Sequence, residues 1–133
     1  MGSHADAVFQ SYGRSCNKPV FFEDFYTIFT GKSHEIRDMF RNTDMQAQKS
    51  LLRTGILVLV MNARGMPDTK VNALGKSHSK KGLNVHPRHY ALWLDALMET
   101  LSRHDPEFNP ALEVAWRSTL QPIIDKIAGM YEQ

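Results

Sequence analysis

Hydrophobic residues recur at helical spacing along most of the chain. Phe22, Phe25, Tyr26 and Phe29 occupy positions i, i+3, i+4 and i+7, which places them on one face of a helix. No stretch alternates apolar and polar residues with a convincing period of two, the pattern of a half-buried strand. The sequence therefore predicts an all-α fold of six to seven helices joined by short connections.

Prolines, glycines and capping residues divide this pattern into segments. Ser33, the cluster Asn42-Thr43-Asp44 and Asn109 are candidate N-caps, and Pro122 inside the last segment is expected to kink it. In chain order the predicted segments run over about Asp6 to Cys16, Pro19 to Gly31, Ser33 to Phe40, about twenty residues up to Gly65-Met66-Pro67, about Asp68 to Lys81, Pro87 to Asp105, and Asn109 to Tyr131.

The composition is that of a globular protein. The 133 residues are 42% hydrophobic and 23% charged, which is close to the average for folded domains. This length fits one compact domain, so we expect residues 1–133 to form it, with Met1 to His4 partly a tag remnant.

The charge balance argues against two classes of partner. A net charge of +2 gives no broad basic surface, so neither nucleic acid nor a membrane is expected to bind. The small cluster Lys76, Lys80 and Lys81 is typical of a solvated helix edge. Cys16 is the only cysteine, which excludes an intrachain disulfide, and no secretory or membrane-spanning stretch is found. We therefore expect a cytoplasmic location.

Few familiar motifs of catalysis or metal binding occur. The sequence has no glycine-rich phosphate loop, no paired-cysteine zinc spacing and no nucleophile elbow. His86 and His89 flank Pro87 and suggest a surface metal site, but their spacing is more often incidental. His78 lies on an apolar helix face, where a histidine is usually a core residue with its ring nitrogens satisfied.

Three stretches together favour a ligand role for His78. The first is Phe25-Tyr26-Thr27-Ile28-Phe29 with His34-Glu35-Ile36-Arg37-Asp38-Met39-Phe40 after it. The second is Gln48-Lys49-Ser50-Leu51-Leu52, and the third is Leu74-Gly75-Lys76-Ser77-His78 followed by Pro87-Arg88-His89-Tyr90. Over about Val20 to Tyr131 the sequence resembles the bacterial globins, especially the globin domains of flavohaemoglobins and their single-domain relatives.

The resemblance implies a globin fold around haem b, iron protoporphyrin IX, with His78 as the iron ligand. It implies that Tyr26 and Gln48 donate hydrogen bonds to a bound gas, and that Phe40, Leu52 and Val85 pack around the haem. Tyr90 matches a residue that hydrogen-bonds near the proximal imidazole, although the stretch from His78 to Tyr90 is about two residues longer than in the family pattern. In that family a glutamate near the end of the last helix completes the hydrogen bonds around the proximal imidazole, and residues 128–133 offer no secure counterpart to it.

A purely structural role is the alternative interpretation for several of these residues. Tyr26, Phe40 and Leu52 are equally well described as core residues, Gln48 as a solvated helix residue, and Tyr90 as a half-buried ring with a wet hydroxyl. Only the shared spacing with His78 favours the functional interpretation.

The resemblance favours reversible binding of dioxygen and other diatomic gases, including nitric oxide and carbon monoxide. The physiological role is then oxygen binding or storage, or oxidation of nitric oxide with a separate reductase. One alternative is a haem-based gas sensor that signals to a separate partner protein. Another is a haem-free helical bundle that acts as an interaction module.

Overall fold

The computed structural model describes residues 3–132 and consists of seven α-helices with no strand in that range. The helices are α1 (His4–Ser15), α2 (Pro19–Thr30), α3 (His34–Met39), α4 (Met45–Ala63), α5 (Thr69–His78), α6 (Arg88–His104) and α7 (Pro110–Ala128). The predicted all-α class is confirmed. Ser3 caps α1, and the remainder of the expected tag remnant, Met1 and Gly2, lies outside the described residues together with Gln133.

Side-chain caps fix three helix starts where the sequence predicts them. Ser33 Oγ accepts a hydrogen bond from the Ile36 amide at 3.1 Å, and Asn109 Oδ1 accepts one from the Leu112 amide at 2.8 Å. Asp44 Oδ1 accepts from the amide of residue 46 at 3.0 Å and from that of residue 47 at 3.3 Å. Each cap satisfies a backbone donor that has no partner within the helix.

The fifth helix ends earlier than expected. The spacing predicts a segment to about Lys81, but α5 stops at His78 because the chain folds back over its last turn. The carbonyl of Ser77 accepts from the Leu83 amide at 2.9 Å, and that of His78 accepts from the Val85 amide at 3.0 Å. Gly82 permits this reversal, since a Cβ there would lie 2.4 Å from the Ser77 oxygen.

The last helix runs without interruption through Pro122, whose side chain is exposed. A proline within a helix removes one backbone donor, yet packing of the flanking turns maintains α7 as one element up to Ala128. Trp116, Leu120, Ile124 and Ile127 on this helix are all buried.

The helices pack in three main pairs. α1 and α5 both pack on α7, and α2 packs on α6. The largest fully buried side chains form the centre of this packing: Trp116, Phe21, Phe25, Ile36, Ile56 and Leu97. Within residues 3–132, no helix is long and apolar enough to cross a bilayer.

Candidate functional site

A large cavity lies among the helices. Its volume is about 760 Å³, within the range of pockets that hold small molecules and cofactors. α4 and α5 form much of its wall, and Leu74, Ser77 and His78 are among the residues that α5 contributes. All seven candidate residues from the sequence line it, namely Tyr26, Phe40, Gln48, Leu52, His78, Val85 and Tyr90. The wall is chiefly apolar, so a ligand inside it is largely removed from water.

Tyr26 and Gln48 form the main polar contact on one side of the cavity. Gln48 Nε2 donates a hydrogen bond to the Tyr26 hydroxyl at 3.0 Å, and that hydroxyl lies 3.5 Å from the Gln48 carbonyl oxygen. Because the hydroxyl accepts from Gln48 and has only this long contact for its own proton, it can donate to a ligand. Burial raises the pKa of Tyr26 to about 12, so the phenol keeps its proton at neutral pH.

His78 is the last residue of α5, and its ring is fixed within that helix. Its Nδ1 lies 2.7 Å from the carbonyl oxygen of Leu74, one turn earlier, and 3.0 Å from the Ser77 hydroxyl. A carbonyl oxygen can only accept, so Nδ1 carries a proton, and in the neutral form of the ring Nε2 holds the lone pair. Among residues 3–132, Nε2 has no hydrogen-bond partner. This is the protonation state in which imidazole binds a metal.

Tyr90 does not make the expected contact with His78. Within the described part of the chain no hydrogen bond joins the two side chains, because the Nδ1 proton of His78 is already bonded to Leu74. Tyr90 is half-buried in the cavity wall, and burial raises its pKa to about 12. The structure thus brings Tyr90 to the cavity but not to the imidazole.

Comparison with known proteins agrees with this geometry. The sequence matches the Globin family over residues 22–127. It is also similar to PA3967 of Pseudomonas aeruginosa PAO1, a protein described as structurally highly homologous to a human hemoglobin. The crystal structure of that protein has a TM-score of 0.94 and 47% sequence identity to this chain, and the match covers 98% of this chain and 100% of that one. A search of curated protein sequences gives no match.

The chain belongs to the globin family. It is accordingly a haem-binding protein, and diatomic gases such as dioxygen are the ligands expected of its family.

The residues present fit haem. Within residues 3–132 no group of three histidine, cysteine or acidic side chains could hold a metal ion. The lone imidazole of His78 therefore suits a metal whose other ligands come with the cofactor, as they do in haem. The apolar wall suits the macrocycle, and Phe40 and Leu52 are among the side chains that supply it.

The segment that follows α5 is hydrogen-bonded to Tyr131, near the C-terminus. The Lys80 amide donates to the carbonyl of Tyr131 at 2.8 Å, and the Tyr131 hydroxyl donates to Asn84 Oδ1 at 2.6 Å. The same hydroxyl lies 3.3 Å from His86 Nδ1. Tyr131 thus holds the segment that connects His78 to α6, a role that the sequence did not suggest.

His89, which the sequence analysis took as part of an incidental surface pair with His86, is a buried residue of the cavity wall. It is 3% exposed, lines the cavity, and has no hydrogen-bond partner for either ring nitrogen among the described residues. Nε2 lies 3.0 Å from Glu35 Oε1 without the alignment of a hydrogen bond. Burial lowers the pKa of His89 despite the opposing effect of the Glu35 carboxylate, so the ring is predominantly neutral at physiological pH. No local pattern signals this burial, because it depends on how the helices around the cavity pack together.

Proposed function

We propose that this globin holds haem b through His78 and retains dioxygen for the oxidation of nitric oxide to nitrate. The observation that carries the proposal is the combination of a free imidazole Nε2 and a buried Tyr26–Gln48 pair in one apolar cavity. His78 would hold the haem, and when bound the haem would supply an iron to which a diatomic gas binds reversibly. The resemblance of the sequence to the globin domains of flavohaemoglobins supports this reaction.

Tyr26 supplies the principal hydrogen bond to the gas. Its hydroxyl accepts from Gln48 Nε2 at 3.0 Å, and an accepted hydrogen bond polarises a hydroxyl and makes it a better donor. A gas that gains negative charge on binding is stabilised by such a donor by about 1.5 to 3 kcal/mol. Release of dioxygen is therefore slow, which suits chemistry on the bound gas better than rapid transport.

Apolar side chains protect this chemistry from water. Leu52 is 7% exposed, and Phe40 packs edge to face on Tyr26 with ring centroids 5.4 Å apart. Val85 lies in the cavity wall beyond the end of α5. We propose that these three side chains pack around the haem and exclude water and anions while the gas is bound.

Continued turnover needs an electron for each nitric oxide oxidised, and we propose that a separate reductase supplies it. Carbon monoxide competes with dioxygen for the same position and benefits less from Tyr26, since it gains less negative charge on binding.

The decisive experiment begins with haem-loaded protein, reduced and saturated with dioxygen. Stopped-flow mixing with nitric oxide is expected to produce one nitrate per protein molecule and one shift of the Soret band, and further turnover requires an added reductant. Spectra of the oxidised and reduced protein without gas serve as references. Loss of dioxygen without nitrate would contradict the proposal and favour gas sensing, which requires only ligand exchange.

A further inference from the structure

A second cavity, which is much more open to solvent, adjoins the haem cavity. Its volume is about 440 Å³, and it lies among α2, α3 and the first turns of α4. Tyr26 and Phe40 line both cavities, so their two rings form a shared wall. We call this second cavity the basic cleft, because Arg37, Arg41 and Lys49 line it and Glu23 is its single carboxylate within the described residues.

Two of the three cations in the basic cleft are available to a ligand. Arg41 pairs with Asp38 at 2.6 Å, but Lys49 Nζ lies 4.0 Å from Glu23, at the limit of an ion pair. Arg37 has no carboxylate within 4.0 Å in the described part of the chain. Lys49 is also held near the shared wall, since its side chain is only 25% exposed and it follows Gln48 in α4.

The haem cavity, in contrast to the basic cleft, has few charged side chains. Lys70 is its one lysine or arginine among the described residues, and most of its wall is apolar. An anion inside such a wall is poorly solvated, and a neighbouring cleft with unpaired cations lowers its energy. The cations of the basic cleft therefore stabilise an anion there relative to the haem cavity, and they also raise the concentration of anions from solvent beside the shared wall.

We propose that the basic cleft is the passage by which small inorganic anions reach and leave the haem cavity, past the rings of Tyr26 and Phe40. This inference deepens the proposed function, because nitrate is the anionic product that must leave. Anions pass when no gas is bound, once Phe40 moves aside. Phe40 is half-buried and follows the last helical residue of α3, so this movement breaks its ring contacts with Tyr26 and Phe29 but leaves α3 intact.

The test uses oxidised, haem-loaded protein and azide as the anionic probe. Stopped-flow absorbance gives the association rate for wild type, Arg37→Gln, Lys49→Gln and the double variant, at low and at high salt. We expect the double variant to bind azide about three- to tenfold more slowly at low ionic strength. The difference should shrink at high salt, where exposed charges are screened.

Two controls distinguish an effect on anion passage from a general change in charge or in the cavity. Lys76→Gln removes an exposed positive charge that lines neither cavity and is expected to leave azide association unchanged. Carbon monoxide is neutral, so its association with the reduced double variant should match wild type, which also verifies that the cavity is intact.

Three results would overturn the proposal: an azide rate unchanged in the double variant, an equal slowing of carbon monoxide, or a slowing caused by Lys70→Gln instead. The last would place the entrance at α5. Because azide association does not involve nitric oxide, this test can succeed or fail independently of the nitrate experiment.

Discussion

At the scale of the residue, the chemistry of His78 depends on its own helix. Its Nδ1 bonds to the Leu74 carbonyl one turn earlier, so the proton position is set by local geometry and not by a distant side chain. A neutral carbonyl gives the imidazole less imidazolate character than a carboxylate or a phenol network would. If His78 holds the iron as proposed, we therefore expect it to donate less electron density than a histidine bonded to a carboxylate would.

Replacement of His78 tests its role directly. His78→Ala should abolish normal haem retention because it removes the candidate axial donor, and added imidazole should restore it by occupying the vacant space. The measurement is the Soret spectrum of purified protein reconstituted with haem. His86→Ala is the matched control, since His86 does not line the cavity. A reduced His78→Ala protein that kept a five-coordinate histidine spectrum would rule out this ligand.

Tyr26 is the second residue whose replacement should have a large effect, in this case on the rate of dioxygen release. Tyr26→Phe removes only the hydroxyl, and loss of a bond worth about 1.5 to 3 kcal/mol should speed dioxygen release by roughly one to two decades. Stopped-flow displacement of dioxygen by carbon monoxide measures this rate. Tyr12→Phe removes a hydroxyl from a tyrosine that does not line the cavity and serves as the control. An unaltered release rate in Tyr26→Phe would exclude the proposed hydrogen bond.

The sequence predicted those cavity residues that belong to local motifs, within one helix or in helices that follow each other. Tyr26, Gln48 and His78 were placed through a resemblance whose motifs are local, and all three line the cavity. His89 was placed at the surface and not in the cavity, because its environment includes residues as distant in sequence as Glu35, 54 positions earlier in the chain. The basic cleft was missed for the same reason.

At the scale of the element, the end of α5 is the most consequential boundary. The sequence predicts a helix to about Lys81, since nothing local reveals that the amides of Leu83 and Val85 cap the carbonyls of Ser77 and His78. Other helix starts were predictable, because Ser33, Asp44 and Asn109 act within three residues of themselves.

Gly82 provides a test of this boundary. In Gly82→Ala the added Cβ would lie 2.4 Å from a backbone oxygen, so the chain must shift at a cost of about 1 to 3 kcal/mol. We expect lower stability in chemical denaturation and faster transfer of haem to an acceptor protein. Gly13→Ala is the control, because nothing lies within 4 Å of its Cβ and alanine favours a helix by about 1 kcal/mol. Equal stabilities of the two variants would show that the reversal tolerates a side chain.

At the scale of the whole molecule, one buried carboxylate joins distant helices. Asp105 Oδ2 accepts from Ser11 at 2.6 Å, and Asp105 Oδ1 accepts from Arg14 Nε at 2.8 Å. Trp116 Nε1 donates to the same Ser11 hydroxyl at 2.9 Å. The network links α1, the end of α6 and α7. The sequence gives no sign of it beyond Asp105-Pro106 as a helix end, because its partners lie about ninety positions away.

Asp105→Asn should destabilise the fold by about 3 kcal/mol at neutral pH, because it breaks a buried charged pair with Arg14. Burial tends to raise the pKa of Asp105, but hydrogen bonds from Arg14 and Ser11 more than offset this and lower it. A carboxyl with a lowered folded pKa stabilises the protein above its ordinary pKa of about 4, and that contribution is lost as the pH falls through the folded value.

Chemical denaturation across pH is the measurement for Asp105→Asn. The difference in free energy of unfolding between wild type and Asp105→Asn should be largest at neutral pH. It should decrease in acid, as the wild-type carboxyl takes up its proton. Asp38→Asn, which breaks the exposed pair with Arg41, should cost less than about 1 kcal/mol. If this difference did not change with pH, the charge of Asp105 would contribute nothing to stability.

The contribution of α7 to the cavity bears on the order of events during protein synthesis. Ile124 and Ile127, near the end of this helix, form part of the haem cavity, and α7 is also the helix on which α1 packs. A ribosome-bound chain that has emerged only as far as α6 has Tyr26, Gln48 and His78, but one side of its pocket is open to solvent. Stable capture of haem therefore follows translation of α7, and a nascent chain at earlier stages exposes an apolar surface that chaperones can recognise.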